Sequence, residues 1–256
     1  MVITGELNER TPVTILVTGG TGTLGSPTVA MLRAAGHTVH VLSRTQGDHI
    51  GDLTSGTGLT EAFAGVDTVL HLATSAGSKD GRQTRHAVDA ALAAGVTHFV
   101  YISIVGVDQV PYPYYRSKLE SEQIIEASGL AYTILRATQF HSFIAMFIEL
   151  QKRLPVIISL DVPDQPIAVE EVAERLVELV EAGPSGRVTD IGGPQQLRLR
   201  EAIDLWQSAA GTHKRVWTMR LVGKTIRSFQ EGRHMTAMPG FGRETFAEFA
   251  AREAAK

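Results

Sequence analysis

The chain has 256 residues, 24 of them basic and 27 acidic, for a formal net charge of −3, and it has no cysteine. Without cysteine there can be no disulfide, thiolate metal site or cysteine nucleophile, and charge spread this evenly offers no basic track for nucleic acid. No apolar run approaches the roughly 18 residues of a membrane-spanning helix, so neither nucleic acid nor membrane is expected as a partner. The opening "MVITGELNERTPV" lacks the basic-then-apolar order of a secretory signal; residues 1–12 read as a flexible tail and the expected location is cytoplasmic.

From residue 13 onward, short apolar runs alternate with helical patterns. Strands are predicted at 13–18, 38–42, 49–51, 67–72, 97–103 and 131–136, several of them continuously apolar ("TILV", "HFVYISIV"), as strands covered on both faces must be. Helices are predicted at 23–35, 58–64, 82–94 and 113–128, each followed by a glycine suited to a left-handed cap: Gly36, Gly65, Gly95 and Gly129. Further on, Val169, Val172, Ala173, Leu176, Val177 and Val180 recur at helical spacing. A seventh strand is expected at 187–191, a helix at 198–210, and a last helix with Phe246, Phe249 and Ala250 on one face. The alternation specifies an α/β fold, a Rossmann-type doubly wound parallel sheet. Residues 13–137 form its nucleotide-binding core, and 138–256 a mixed region that completes the sheet and builds a substrate side within the same domain.

The stretch "VTILVTGGTGTLGS" ends the first strand in glycines and opens the first helix. Gly19, Gly22 and Gly25 permit a tight turn, and with Thr21, Thr23 and Leu24 they bring backbone and helix N-terminus up to a pyrophosphate. No Gly-Lys-Ser/Thr follows, which excludes a Walker loop. Where an NAD-binding protein carries an acid for the ribose 2′-hydroxyl, the second strand ends in Ser43 and Arg44. A guanidinium there favours a 2′-phosphate, so NADP(H) is expected over NAD(H). Asp52 and Leu53, after strand three, are placed near the adenine. Ala73 and Thr74, closing strand four, lie along the ribose–phosphate path.

In "YISIVGVDQVPYPYYRSKLESE", Tyr114 and Lys118 stand at i, i+4 on a predicted helix, and Ser103 sits at the carboxyl end of the fifth strand. An ammonium beside a phenol stabilises its anion and suits the tyrosine to proton transfer at neutral pH. The alternative for Tyr114 is an aromatic packing with Tyr112 and Tyr115. Together the TGGTGTLG turn, Arg44, Ser103 and the Y-x-x-x-K helix resemble the short-chain dehydrogenase/reductase superfamily. "YYRSKLESE" and "LRATQFH" are similar to its atypical, NmrA-like NAD(P)H-binding branch. The resemblance implies an oxidoreductase with Tyr114 as proton donor, Lys118 holding the nicotinamide ribose and tuning the tyrosine, and Ser103 orienting the substrate. It also places Thr138 and Phe140 at the cofactor. Ala137-Thr138-Gln139-Phe140 stands where the superfamily carries a Pro-Gly pair, and the interval from serine to tyrosine is short. Two other readings share these residues: a non-catalytic NADP(H) redox sensor, and an isomerase or dehydratase with a retained nucleotide.

No H-E-x-x-H occurs among the nine histidines, and no metal is expected. His71 and His98 read as core histidines. A small-molecule substrate of apolar or aromatic character is expected, with Phe140, His141, Phe143, Trp217 and Met238 on its side of the cleft.

Overall fold

A strand that is apolar on both faces has to be covered on both, and β1 (Thr14–Thr18) meets that demand at the centre of a sheet, with Ile15, Leu16 and Val17 fully buried. The computed structural model describes residues 12–255; the expected tail at 1–12 lies, apart from Pro12, outside the described residues. After β1 come α1 (Gly25–Ala34), β2 (Thr38–Ser43), β3 (His49–Ile50), α2 (Leu59–Phe63), β4 (Thr68–His71), α3 (Asp80–Ala94), β5 (His98–Ile104), α4 (Pro113–Glu126) and β6 (Tyr132–Ala137). The chain continues through α5 (His141–Glu149), β7 (Val156–Leu160), β8 (Pro163–Asp164), α6 (Val169–Ala182), β9 (Gly186–Arg187) and β10 (Leu197–Arg198). It closes with α7 (Leu199–Ala209), β11 (Arg215–Met219), α8 (Lys224–Gln230) and α9 (Phe246–Ala254).

Seven strands form one parallel sheet in the order β3-β2-β1-β4-β5-β6-β9. Alternation along β1 divides the core: Ile15 and Val17 pack with Val29 and Leu32 of α1 and Val172 and Leu176 of α6. Leu16 faces the other way, toward Phe63 of α2, Val88 of α3 and Ile125 of α4. The strand order reverses beside β1, so the connections leaving the carboxyl ends of β1 and β4 part and open a crevice between them. All four expected glycine stops take positive φ.

Two parts of the second half depart from expectation. The strand predicted at 187–191 is reduced to Gly186–Arg187 and a single bridge from Ile191 to Ala137, with an Arg187–Asp190 ion pair at 2.9 Å spanning the interruption. Residues 138–165, for which the sequence pattern predicts no element, contain α5, β7 and β8. Strand β7 pairs in parallel with β11 outside the main sheet, over a third core formed by Ile144, Ile157, Ala202, Ile203, Phe246 and Phe249.

Candidate active site

A cleft of about 840 Å³ runs along the carboxyl ends of the central strands. Its floor is the glycine turn. Gly19 has φ +72°, and a Cβ there would sit 2.7 Å from the Ala73 backbone nitrogen. A Cβ on Gly25 would sit 2.1 Å from the Gly19 carbonyl oxygen and 2.6 Å from Gly20 Cα. The turn is folded tightly on itself and against the end of β4, which brings the start of α1 to the cleft edge. Thr21, Gly22, Thr23 and Leu24 complete this floor. Such a cradle of close backbone, open above and closed to side chains below, fits a pyrophosphate.

At one end Ser43, Arg44, Asp52 and Leu53 line the cleft. No carboxylate among the described residues pairs with Arg44. The acid nearest in sequence, Asp48, is turned inward, accepting from the Val41 backbone N–H at 2.8 Å and from Arg33 at 3.2 Å. Asp52 is engaged by the Thr54 backbone N–H at 2.8 Å.

At the other end Ala73, Thr74, Ser103, Tyr114 and Lys118 share the cleft lining. Ser103 is buried at 2% exposure and its Oγ has no hydrogen-bond partner among the described residues, an uncommon state for a buried hydroxyl and one that a cleft ligand would relieve. Tyr114 is half-buried, and its hydroxyl lies 3.1 Å from Thr74 Oγ1. Tyr115 is buried among Val107, Val110 and Phe229, and burial pushes its phenol above the usual range. The neighbouring tyrosines therefore divide: one packs and one faces the cleft. Lys118 is 3% exposed; its Nζ donates to the Ile102 carbonyl at 3.3 Å, lies 4.8 Å over the Tyr101 ring and faces Asp80 Oδ2 at 3.8 Å.

Beneath this end lies a polar layer that the sequence pattern does not announce. One face of α3 (Asp80, Gly81, Thr84) packs on one face of α4 (Ser117, Lys118, Ser121), tied by Thr84 Oγ1 donating to Ser121 Oγ at 3.0 Å. His71 joins it, 2.7 Å from Thr18 Oγ1 and 3.2 Å from Thr84 Oγ1, and burial, aided by the Lys118 charge, lowers its pKa to about 3. The imidazole is therefore neutral at physiological pH.

On the expected substrate side the structure separates the candidates. Phe140 and Phe143 line the cleft, as does Met146. Thr138 also lines it, but its hydroxyl is committed to the Gln165 carbonyl at 2.5 Å. His141 does not: its Nε2–H donates to the Glu244 carbonyl at 3.0 Å, its ring stacks on Phe249 at 5.2 Å, and burial lowers its pKa to about 4. The reason is helical phase. His141, Ile144, Ala145 and Ile148 form the buried face of α5, whereas Phe143 and Met146 fall on the opposite one. Trp217, on β11, is 66% exposed and outside the cleft, because it points away from the core that Ile157 and Val216 enter. Met238 lines a separate surface hollow with Pro194 and Leu205. Gln139 and Ser142, which had not been singled out, complete the wall. No metal-binding group of histidines and carboxylates occurs among the described residues.

The pattern of the NAD(P)H-binding family spans residues 19–182. The chain is 29% identical over 135 residues to quinone oxidoreductase 2 of Escherichia coli (strain K12), a match covering 48% of this chain and 47% of that protein, so it spans about half that relative's length. It is 28% identical over 244 residues to the NAD(P)H azoreductase of Xenophilus azovorans, covering 89% of this chain and 81% of that one. The solved structure of the NADPH-dependent quinone oxidoreductase of Escherichia coli complexed with NADPH superposes with a TM-score of 0.74, at 21% identity, over 93% of this chain and 99% of that chain. With the family pattern spanning residues 19–182, and a glycine turn and sheet order that agree with it, the chain belongs to the NAD(P)H-binding family.

Proposed function

We propose that this protein is an NADP(H)-dependent oxidoreductase that reduces a carbonyl or related unsaturated group of an apolar small molecule. The observation that carries the reading is the meeting of Ser103, Tyr114 and Lys118 in the cleft that the glycine turn floors, under a wall of Phe140, Phe143 and Met146. A nicotinamide bound there supplies hydride. The chain's own groups do the rest: the glycine turn and α1 hold the pyrophosphate, Lys118 the nicotinamide ribose, and Arg44 the 2′-phosphate. Ser103, whose hydroxyl has no partner among the described residues, donates to the substrate oxygen. Tyr114 delivers the proton that the reduced oxygen needs. The apolar wall excludes water and selects a flat, hydrophobic acceptor. The names of two relatives, a quinone oxidoreductase and an azoreductase, support acceptors of that character.

The test is NADPH oxidation, followed at 340 nm, with 1,4-benzoquinone, an aromatic aldehyde and an azo dye as acceptors. The reading expects turnover with at least one, and a lower Kd for NADPH than for NADH. Tight NADPH binding without consumption by any acceptor replaces it with the sensor reading. Equal affinities for the two nucleotides remove the role of Arg44.

A further inference from the structure

Asp80 is the first residue of α3, is 2% exposed, and has no part in the mechanism so far. Its Oδ1 accepts from the Ser75 backbone N–H at 2.8 Å and from Ser75 Oγ at 2.6 Å. Its Oδ2 accepts from Thr74 Oγ1 at 2.6 Å and faces Lys118 Nζ at 3.8 Å. One buried carboxylate thus fixes the loop that walls the cleft, the hydroxyl beside Tyr114, and the lysine four residues after it.

The hydroxyl of Thr74 has a single hydrogen, and it lies on the short bond to Asp80 Oδ2. Toward Tyr114 it offers only a lone pair, so across the 3.1 Å contact the phenol must donate. A partner that can only accept stabilises the neutral phenol over the phenolate. We propose that Asp80 is the positioning residue of the Tyr114–Lys118 pair: through Thr74 it holds the Tyr114 hydroxyl in its proton-carrying form at the cleft, and directly it holds the Lys118 ammonium. This rests on the reductase reading for its use, though not for its geometry.

The other titratable groups facing this cluster are His71 from β4, Tyr101 from β5, Tyr112 and Tyr115 beside Tyr114, and Glu120 and Glu122 from α4. His71 is kept neutral, Tyr101 is pushed up by burial, and Glu122 is bound by Arg136 at 2.6 Å. Glu120 lies against the outer side of the helix start, near Gly81.

The test is the titration of Tyr114 itself in the ligand-free protein, by carbon-13 resonance of tyrosine labelled at Cζ, with Tyr114→Phe identifying the signal among the five tyrosines. In Asp80→Asn the resonance should reach its phenolate position at lower pH than in the wild type, because a negative charge is lost and Thr74 is freed to donate. Thr74→Val should move it the same way by less, and Thr74→Ser, which keeps the hydroxyl, should restore the wild-type midpoint. If Asp80→Asn does not fold, the Thr74 pair decides, since Thr74 is exposed and outside the cores. Unshifted midpoints in the folded variants overturn the proposal. With 1,4-benzoquinone as acceptor, the alkaline fall-off of kcat should move in step. Shifted midpoints without NADPH consumption uphold Asp80 and sink the reductase reading; consumption with unshifted midpoints does the reverse.

Discussion

The two walls of the cleft are made of different material. The wall from β1 and β4 is backbone: glycines whose missing Cβ atoms let the turn close on itself and let the start of α1 reach the opening. The wall from β5, α4 and α5 is side chain: a serine, a tyrosine, a lysine and an apolar strip. A backbone wall recognises what every member of a cofactor class shares and tolerates no added atom. A side-chain wall carries chemistry and selectivity, and single substitutions can retune it without closing the cleft.

That contrast is broken most directly by Gly25→Ala. The added carbon would lie 2.1 Å from the Gly19 carbonyl, so NADPH binding should be lost, as read by the fluorescence of the bound nucleotide. Retained binding would mean that the turn rearranges and is not the cradle. On the side-chain wall, Tyr114→Phe should lower kcat by about 10²–10⁴-fold while the NADPH Kd stays within about twofold; an unchanged kcat would return Tyr114 to a packing role. Acid should weaken both halves alike. His71, His98 and His141 are lowered by burial to about 3, 4 and 4, so the unfolded chain binds more protons as pH falls below the ordinary value of 6.5. Stability is fully present above that pH and is lost downward toward pH 4, at a limiting slope of about 1.4 kcal/mol per pH unit for each histidine, measurable by urea unfolding. Arg44→Ala should weaken NADPH binding about tenfold and leave NADH unchanged, a charge-assisted contact being worth about 1.5–3 kcal/mol. Trp217→Ala should change neither KM nor stability by more than about 0.5 kcal/mol; a rise in KM would bring β11 into the substrate side.

The backbone wall was the easier to read from sequence, because its signals are local: glycines at fixed offsets between an apolar run and a helix start. Tyr114 and Lys118 were legible for the same reason, four residues apart on one helix. Asp80 was not. Its partner Lys118 lies 38 positions later, and only the packing of α3 on α4 brings them together. His141 misled because it sits between Phe140 and Phe143, and adjacency in sequence becomes opposition on a helix. The segment "FIAMFI" reads as uniformly apolar, so its period does not announce which face meets the core and which the cleft.

The central position of β1 has a consequence for how the chain comes to be folded. Its two neighbours are β2 and β4, and the pairing of Thr18 with His71 cannot form until about fifty more residues have been added. During synthesis the first strand therefore emerges as a bare apolar ribbon with one edge unfilled, and parallel pairing across so long a connection is slow. The early chain is the stage at which this protein is most prone to misassociation, and it is where a chaperone would have the most to cover.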